Sequence, residues 1–308
     1  MKILISEFID ESALSRLKEH HDVVYDPGLV DDLPSLLREG ADCDALIVRN
    51  RTQVRGELLD ALQQCKVIGR LGVGLDNIDL VGCEQRHMQV FPATGANAQS
   101  VAEYVITTAM MLLRGAYTST FEVANGKWPR IALSQGRELN GKALGIVGFG
   151  LIGQLTAQLG KALGMRVLAY DPAIKPNDAA NTELGVTHVS LEQLCQQSDV
   201  ISLHIPLLES TRKLFGPDRI RQLKTGAILI NTSRGGILDE AAVVAALQSG
   251  QLGGAALDVF ETEPLTAVPE FQGCPNLILT PHIAGLTAES NVRVSTLVAD
   301  RVLQALGS

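Results

Sequence analysis

Aromatic residues make up only 4% of the chain, tryptophan occurs once, and the cysteines are few and scattered. The five thiols, Cys43, Cys65, Cys83, Cys195 and Cys274, are odd in number and contain no C-x-x-C pair. That usage argues against a disulfide framework or a zinc site and suits reduced thiols in a cytoplasm. No metal is expected. Positive charge is not in excess either, the formal net charge being −8. Such a chain has no general attraction for nucleic acid or an anionic membrane, and neither is expected as a partner. An anionic small molecule can still bind where basic side chains gather locally. Long apolar runs are also missing. The most apolar long stretch, residues 100–113, is broken by Glu103 and is too short to span a bilayer. It reads as a buried helix, with Ser100 and Glu103 spaced as a capping box. The N-terminal MKILISEFIDE lacks the apolar length and the small-residue cleavage site of a signal peptide. The expected location is cytoplasmic.

What is present is a globular composition, 46% apolar and 19% charged over 308 residues, enough for two domains with separate cores. Brief apolar runs at 2–5, 22–24, 45–48, 67–69 and 88–90 alternate with amphipathic segments. After a helix near 98–116 and a polar stretch holding the tryptophan, a second series follows. Its runs lie at 143–148, 166–170, 199–203, 227–231, 254–258 and 277–280. Alternation of this kind predicts β/α units around parallel sheets. From about 287, Val294, Leu297, Val298, Val302 and Ala305 recur at helical spacing and predict one amphipathic helix.

The chemistry begins at 143-ALGIVGFGLIGQLTAQLG-160, a strand, then Gly148-x-Gly150-x-x-Gly153, then a periodic helix. Alone, G-x-G-x-x-G is a weak signal; here a second strand, 166-RVLAYD-171, ends in an acid 18 residues after the third glycine. Gly148 permits a tight turn, Gly150 lets backbone approach a pyrophosphate, and Gly153 lets helix and strand pack closely. The helix N-terminus offers free N–H groups to phosphate. Asp171 is placed to accept hydrogen bonds from a ribose diol and to repel a 2′-phosphate, which favours NAD over NADP. The competing reading is a structural turn followed by a surface aspartate.

Four later strand ends, 200-VISLHIP-206, 227-AILINTSRGG-236, 255-AALDVFETEP-264 and 277-LILTPHIAG-285, each pass from apolar to polar residues. They deliver His204, then Thr232 and Arg234, then Asp258 with Glu261 and Glu263, then His282. Ligands of open α/β sheets bind outside the carboxyl ends of the strands, so these side chains are expected at the dinucleotide's edge. Hydride transfer from a nicotinamide to a ketone needs a proton donor at the developing alkoxide, a task that suits histidine. A neighbouring carboxylate aims the imidazole and favours its protonated form. A guanidinium clamps a substrate carboxylate. Arg234, Glu263 and His282 supply that set. The plainer alternatives are a salt bridge between surface loops and a satisfied histidine at a strand end.

These segments, together with 70-RLGVGLDNID-79, 97-NAQSVAEY-104 and 136-GRELNGK-142, resemble the D-2-hydroxyacid dehydrogenase family along almost the whole chain. The closest likeness in style is to its 3-phosphoglycerate dehydrogenase-like members. The resemblance implies a bilobal α/β protein with a Rossmann-type doubly wound domain, residues 98–282, inserted into a smaller flavodoxin-like substrate domain, residues 1–97 and 283–308. It implies a cleft that closes over substrate and a homodimer built largely on the cofactor domains. The family's catalytic triad falls on Arg234, Glu263 and His282. Its substrate loop falls on Leu71, Gly72, Val73 and Gly74, with Arg49 as a second anion contact beside Arg234 and His282. Strand ends and resemblance together place NAD contacts at Gly148, Gly150, Leu151, Ile152, Gly153, Tyr170, Asp171, His204, Pro206, Thr211, Thr232, Ser233, Arg234, Asp258, His282 and Gly285. Leu151 stands where many relatives carry arginine or asparagine, and Leu208 where a threonine is common. With Ser308 as the last residue, feedback through the serine-sensing extension of longer phosphoglycerate dehydrogenases is not expected.

The expectation is an NAD-dependent oxidoreductase interconverting a small (D)-2-hydroxyacid and its 2-oxoacid. If Arg49 contacts substrate, that substrate carries a second anionic group, as 3-phosphoglycerate or 3-sulfolactate does. The N-terminal half is similar in style to sulfolactate dehydrogenases. Hydroxypyruvate or glyoxylate reduction is the alternative with a smaller pocket. A different class of function, a non-catalytic NAD-responsive protein of the corepressor kind, is compatible with the same motifs.

Overall fold

Two all-parallel sheets arise from the two series of apolar runs in the computed structural model, which describes residues 1–115, 117, 119–174 and 184–307. The first holds β1 (Lys2–Ile5), β2 (Asp22–Tyr25), β3 (Ala45–Val48), β4 (Val67–Arg70) and β5 (Gln89–Pro92) in the order β2-β1-β3-β4-β5. The second holds β6 (Ala143–Val147), β7 (Arg166–Tyr170), β8 (Thr187–His188), β9 (Val200–Leu203), β10 (Ala227–Asn231), β11 (Leu252–Leu257) and β12 (Leu277–Leu279). Its order, β12-β11-β10-β9-β6-β7-β8, reverses direction between β6 and β9. The first order is that of flavodoxin-like sheets and the second that of dinucleotide-binding sheets. Strands such as β3 and β10 are buried at every residue, which is why they read as continuous apolar runs and not as alternations.

The chain divides into two compact units. One runs from Met1 to Asn97 and from Leu286 to the C-terminus; the other runs from Ala98 to Gly285. In the first, both ends of the chain enter one core, Ile3, Ile5, Leu17 and Ile47 packing with Val298 and Val302. The helix Ala288–Leu306 is opened by a capping box in which Thr287 and Ser290 satisfy each other's backbone N–H. It lies so close to β4 that a Cβ on Gly69 would stand 2.7 Å from Val298 Cγ1 and 3.0 Å from Val302 Cγ2.

In the second unit, alternate residues of the central strands feed two cores. Ile228 and Ile230 of β10 pack with the helix Ala98–Arg114, while Leu229 packs on the opposite face with Val243 and Leu247. This unit ends after Gly285, three residues beyond the expected division, because the Asp258 carboxylate holds the N–H groups of Ile283 and Ala284. The expected Ser100–Glu103 capping box is not formed. The helix starts at Ala98, so Ser100 lies inside its first turns on the buried face, and Glu103 faces outward to accept from Gln99 Nε2 at 2.7 Å. The two-residue strand β8 was not legible, being too short for any periodicity.

Adding a side chain at Gly69 tests the close packing of the C-terminal helix on β4. Gly69→Val is expected to destabilise this unit by about 1–3 kcal/mol through overpacking. A urea titration should show the lower midpoint with an unchanged m-value.

Candidate active site

The registers of the second sheet set its carboxyl edge. Tyr170, Val147, Leu203, Asn231, Leu257 and Leu279 are successive partners across β7, β6, β9, β10, β11 and β12. The residues that follow them, Asp171, Gly148, His204, Thr232, Asp258 and Thr280, therefore leave the sheet side by side.

At β6, Gly148 adopts φ +94°, and a Cβ there would stand 2.4 Å from the His204 carbonyl oxygen. Only glycine fits that turn. Gly153, in the first turn of the helix Leu151–Ala162, would bring a Cβ within 2.3 Å of the Gly148 carbonyl. Gly150 is the N-cap of this helix. No side chain caps it, and open space surrounds the position where its Cβ would be. Leu151 is exposed and Ile152 half-buried. Asp171 is tied to the turn: its Oδ2 accepts from the Phe149 N–H at 2.8 Å and its Oδ1 from Ala173 at 2.9 Å. The Tyr170 carbonyl accepts from the Gly148 N–H.

Next along the edge, His204 Nε2 lies 2.9 Å from the Ser202 hydroxyl, and burial pushes its pKa well below the usual imidazole range, leaving a neutral ring at pH 7. Pro206 and Thr211 close a turn in which the Thr211 hydroxyl donates to the Pro206 carbonyl at 2.7 Å. Asn231, at the end of β10, shapes the following loop. Its side-chain oxygen accepts from the Ser233 N–H and hydroxyl, and its Nδ2 donates to the Arg234 carbonyl at 2.9 Å. The Thr232 hydroxyl is buried and has no hydrogen-bond partner among the described residues. Arg234 Nη1 donates to the Ser233 carbonyl at 2.7 Å. Gly235 is needed beside it, since a Cβ would meet the Phe260 carbonyl oxygen at 1.7 Å. The loops after β10 and β11 are thereby pressed together.

Asp258 is almost fully buried. Its Oδ1 accepts from the Thr280 hydroxyl at 2.6 Å and the Ile283 N–H at 2.8 Å, and its Oδ2 from the Ala284 N–H at 2.8 Å. Burial pushes this carboxyl above the usual carboxylate range, against the pull of those bonds. Tyr104 extends the network, its hydroxyl lying 2.5 Å from that of Thr280. The segment so held carries His282, a non-glycine residue at φ +56°, a conformation costing on the order of 1–3 kcal/mol. In that conformation His282 Nδ1 lies 2.7 Å from Glu263 Oε2, while Glu263 Oε1 accepts from the Phe260 N–H at 3.0 Å. A carboxylate only accepts, so Nδ1 carries the proton and Nε2 is left to face a ligand. Glu261 points elsewhere, toward Lys213. Gly285 closes the unit.

The other unit holds Arg49 and the loop Leu71–Gly74 at the carboxyl ends of the adjacent strands β3 and β4. Leu71 donates to the Val48 carbonyl, and Gly72 bonds to Arg70 and Ala93, so this loop is anchored to the sheet. Arg49 is half-buried, its Nη2 donating to Asn291 Oδ1 at 2.8 Å. Arg51 instead pairs with Asp31 at the surface. Asn231, Gly235, Tyr104 and Thr280 were missed by sequence reasoning. Tyr104 and Thr280 meet across 176 residues, Gly235 acts through backbone closeness to Phe260, and Asn231 acts through bonds within its own loop; only the glycine pair of 231-NTSRGG-236 hinted at any of this.

A profile described as D-isomer specific 2-hydroxyacid dehydrogenase, NAD binding domain, matches residues 106–284. The chain belongs to this family. It is an NAD-dependent oxidoreductase that acts on the CH–OH group of 2-hydroxyacids. It is 50% identical to the (S)-sulfolactate dehydrogenase of Chromohalobacter salexigens over 99% of this chain and 98% of that one. It is 38% identical to a hydroxypyruvate reductase of Thermotoga maritima, over 99% and 98% of the two chains. Its fold is similar to that of a glyoxylate reductase from Paecilomyes thermophila, with TM-score 0.86, 29% identity and coverage of 100% and 96%.

The residues present fit NAD. The uncapped helix start and the open space at Gly150 suit a pyrophosphate, the turn-bound Asp171 keeps lone pairs for a ribose, and the unpartnered Thr232 hydroxyl lies on the same edge. Asp171→Ala is expected to lower the NAD-over-NADP ratio of kcat/KM by about tenfold or more, since loss of hydrogen bonds to a charged group costs about 1.5–3 kcal/mol. An unchanged ratio would remove Asp171 from the ribose.

Proposed function

We propose that this dehydrogenase reduces a 2-oxoacid whose third carbon bears a second anionic group, 3-sulfopyruvate being the leading candidate, and reverses the reaction on the matching 2-hydroxyacid. Bound NAD supplies the ring that gives or takes the hydride. Arg234 holds the substrate carboxylate. His282, with Nδ1 committed to Glu263, delivers a proton from Nε2 to the new alkoxide, and Glu263 keeps the ring aimed. The N–H groups of Val73 and Gly74 add donors to the substrate carboxylate. The observation that carries the acid–base assignment is the 2.7 Å contact between His282 and Glu263. Support for the second anion comes from Arg49, a half-buried guanidinium whose direct contacts are the neutral Asn291 oxygen and the Phe8 ring, and from 50% identity to a sulfolactate dehydrogenase.

NADH consumption with 3-sulfopyruvate, 3-phosphohydroxypyruvate, hydroxypyruvate and glyoxylate tests the substrate. The highest kcat/KM is expected for 3-sulfopyruvate. A preference for hydroxypyruvate or glyoxylate would favour the smaller-pocket reading, and tight NADH binding without turnover on any of them a non-catalytic role. His282→Ala is expected to lower kcat by roughly 10²–10⁴; a variant with more than half the wild-type turnover would end its assignment.

The same reading makes the protein a cytoplasmic homodimer formed through the NAD-binding unit. The helix Ser119–Ala124 has no buried residue, and Phe121, Trp128 and Ile131 are 77%, 76% and 88% exposed. Apolar side chains so gathered mark an interaction surface. Ile131→Asp is expected to shift the species seen by light scattering from dimer to monomer, and a wild-type monomer would refute the dimer.

A further inference from the structure

The loop after β3 is built around a carboxylate from the chain itself. Glu7, 5% exposed, accepts from four consecutive backbone N–H groups: Oε1 from Arg49 at 2.8 Å and Thr52 at 3.0 Å, Oε2 from Asn50 at 3.2 Å and Arg51 at 3.1 Å. Successive N–H groups curled toward one point form an anion-binding concavity. Here it is already filled. The loop is locked on its other side, where buried Asn77 donates to the carbonyls of Arg49 and Thr52 at 3.3 and 2.7 Å. A further buried bond, 2.9 Å between the Ser6 and Thr52 hydroxyls, fixes Glu7's own segment to the loop.

The Glu7 oxygens are taken up by backbone N–H groups, and the Arg49 guanidinium feels this carboxylate only through its field. Its guanidinium instead lies 5.5 Å above the Phe8 ring and donates to the neutral oxygen of Asn291. Burial draws the Arg49 pKa down, and the field of Glu7 opposes that only in part. A half-buried guanidinium whose direct contacts are neutral is only partly compensated, and an external anion would relieve it. Both features sit on one loop, so an anion arriving there finds the backbone concavity closed and the guanidinium open.

We infer that Glu7 is a positioning and specificity-determining residue: it plugs the N–H concavity of residues 49–52 and so leaves Arg49 as the group that takes the substrate's second anion. The specificity half of this inference rests on the second-anion reading of the substrate; the plug does not. Inorganic sulfate tests the plug. In Glu7→Ala, sulfate is expected to raise the melting temperature more than in wild type, relative to chloride at equal ionic strength. An equal response in the two proteins would overturn the plug.

Steady-state kinetics with NADH test the specificity, using Glu7→Gln, which keeps the side chain's volume but turns one acceptor oxygen into a donor. Its KM for 3-sulfopyruvate is expected to rise about tenfold, the loss of roughly 1.4 kcal/mol. Its kcat on 3-sulfopyruvate and its KM for glyoxylate should stay within about twofold, a split that general misfolding would not give. Arg49→Gln is the control and should raise the same KM ratio further. If Arg49→Gln shifts the ratio and Glu7→Gln does not, Glu7 has no part in specificity. If neither shifts it, the second-anion substrate itself is refuted, and Glu7's part in specificity goes with it, while the sulfate experiment still decides the plug.

Discussion

The carboxylate of Asp258 holds three groups of the segment after β12 at once, and the arrangement of the acid–base pair depends on that grip. Taking a carboxylate out of water is costly unless hydrogen bonds replace its solvation, and here a hydroxyl and two backbone N–H groups do so. In return the backbone at 280–284 loses its freedom. His282 is held at a positive φ, which brings its Nδ1 to Glu263. The local strain, on the order of 1–3 kcal/mol, is of the kind found where surrounding structure over-determines a working residue. Tyr104, reaching Thr280 from the long helix of the same unit, braces the far side of this grip.

The sheet makes such a construction economical. Because the ends of six neighbouring strands lie in register, short loops suffice to set an aspartate, a glycine turn, a histidine, a threonine and a second aspartate along one edge. Close backbone approaches then fix the loops against one another. Gly148 lies on the His204 carbonyl and Gly235 on that of Phe260, contacts that any side chain would block. The smaller unit follows the same logic with an internal anion, Glu7 shaping the loop that Arg49 opens.

Much of this was legible in the sequence because the signals were local. The apolar runs of parallel strands, the Gly148-x-Gly150-x-x-Gly153 turn with Asp171 beyond it, and the polar residues at strand ends all follow from spacing. The family followed from ordered motifs spread along the chain. What was not legible depends on distance in sequence or on choices between similar local patterns. Ser100 and Glu103 have the spacing of a capping box, yet the helix begins two residues earlier and buries Ser100. Asp258 is expected from sequence as a ligand contact at a strand end; its added part in fastening the next loop, through Thr280, Ile283 and Ala284, was not legible. Glu7 gave no signal at all, since nothing in SEFIDE tells of N–H groups more than forty residues away.

The most direct test of the account is the protonation state of His282 in the NAD-bound enzyme, read by long-range nitrogen–proton NMR of labelled protein. A downfield Nδ1-bound proton is predicted, present in wild type and lost in Glu263→Gln, with Nε2 responding to an added 2-oxoacid analogue. An unprotonated Nδ1 in the wild-type complex, or a spectrum indifferent to Glu263→Gln, would contradict it.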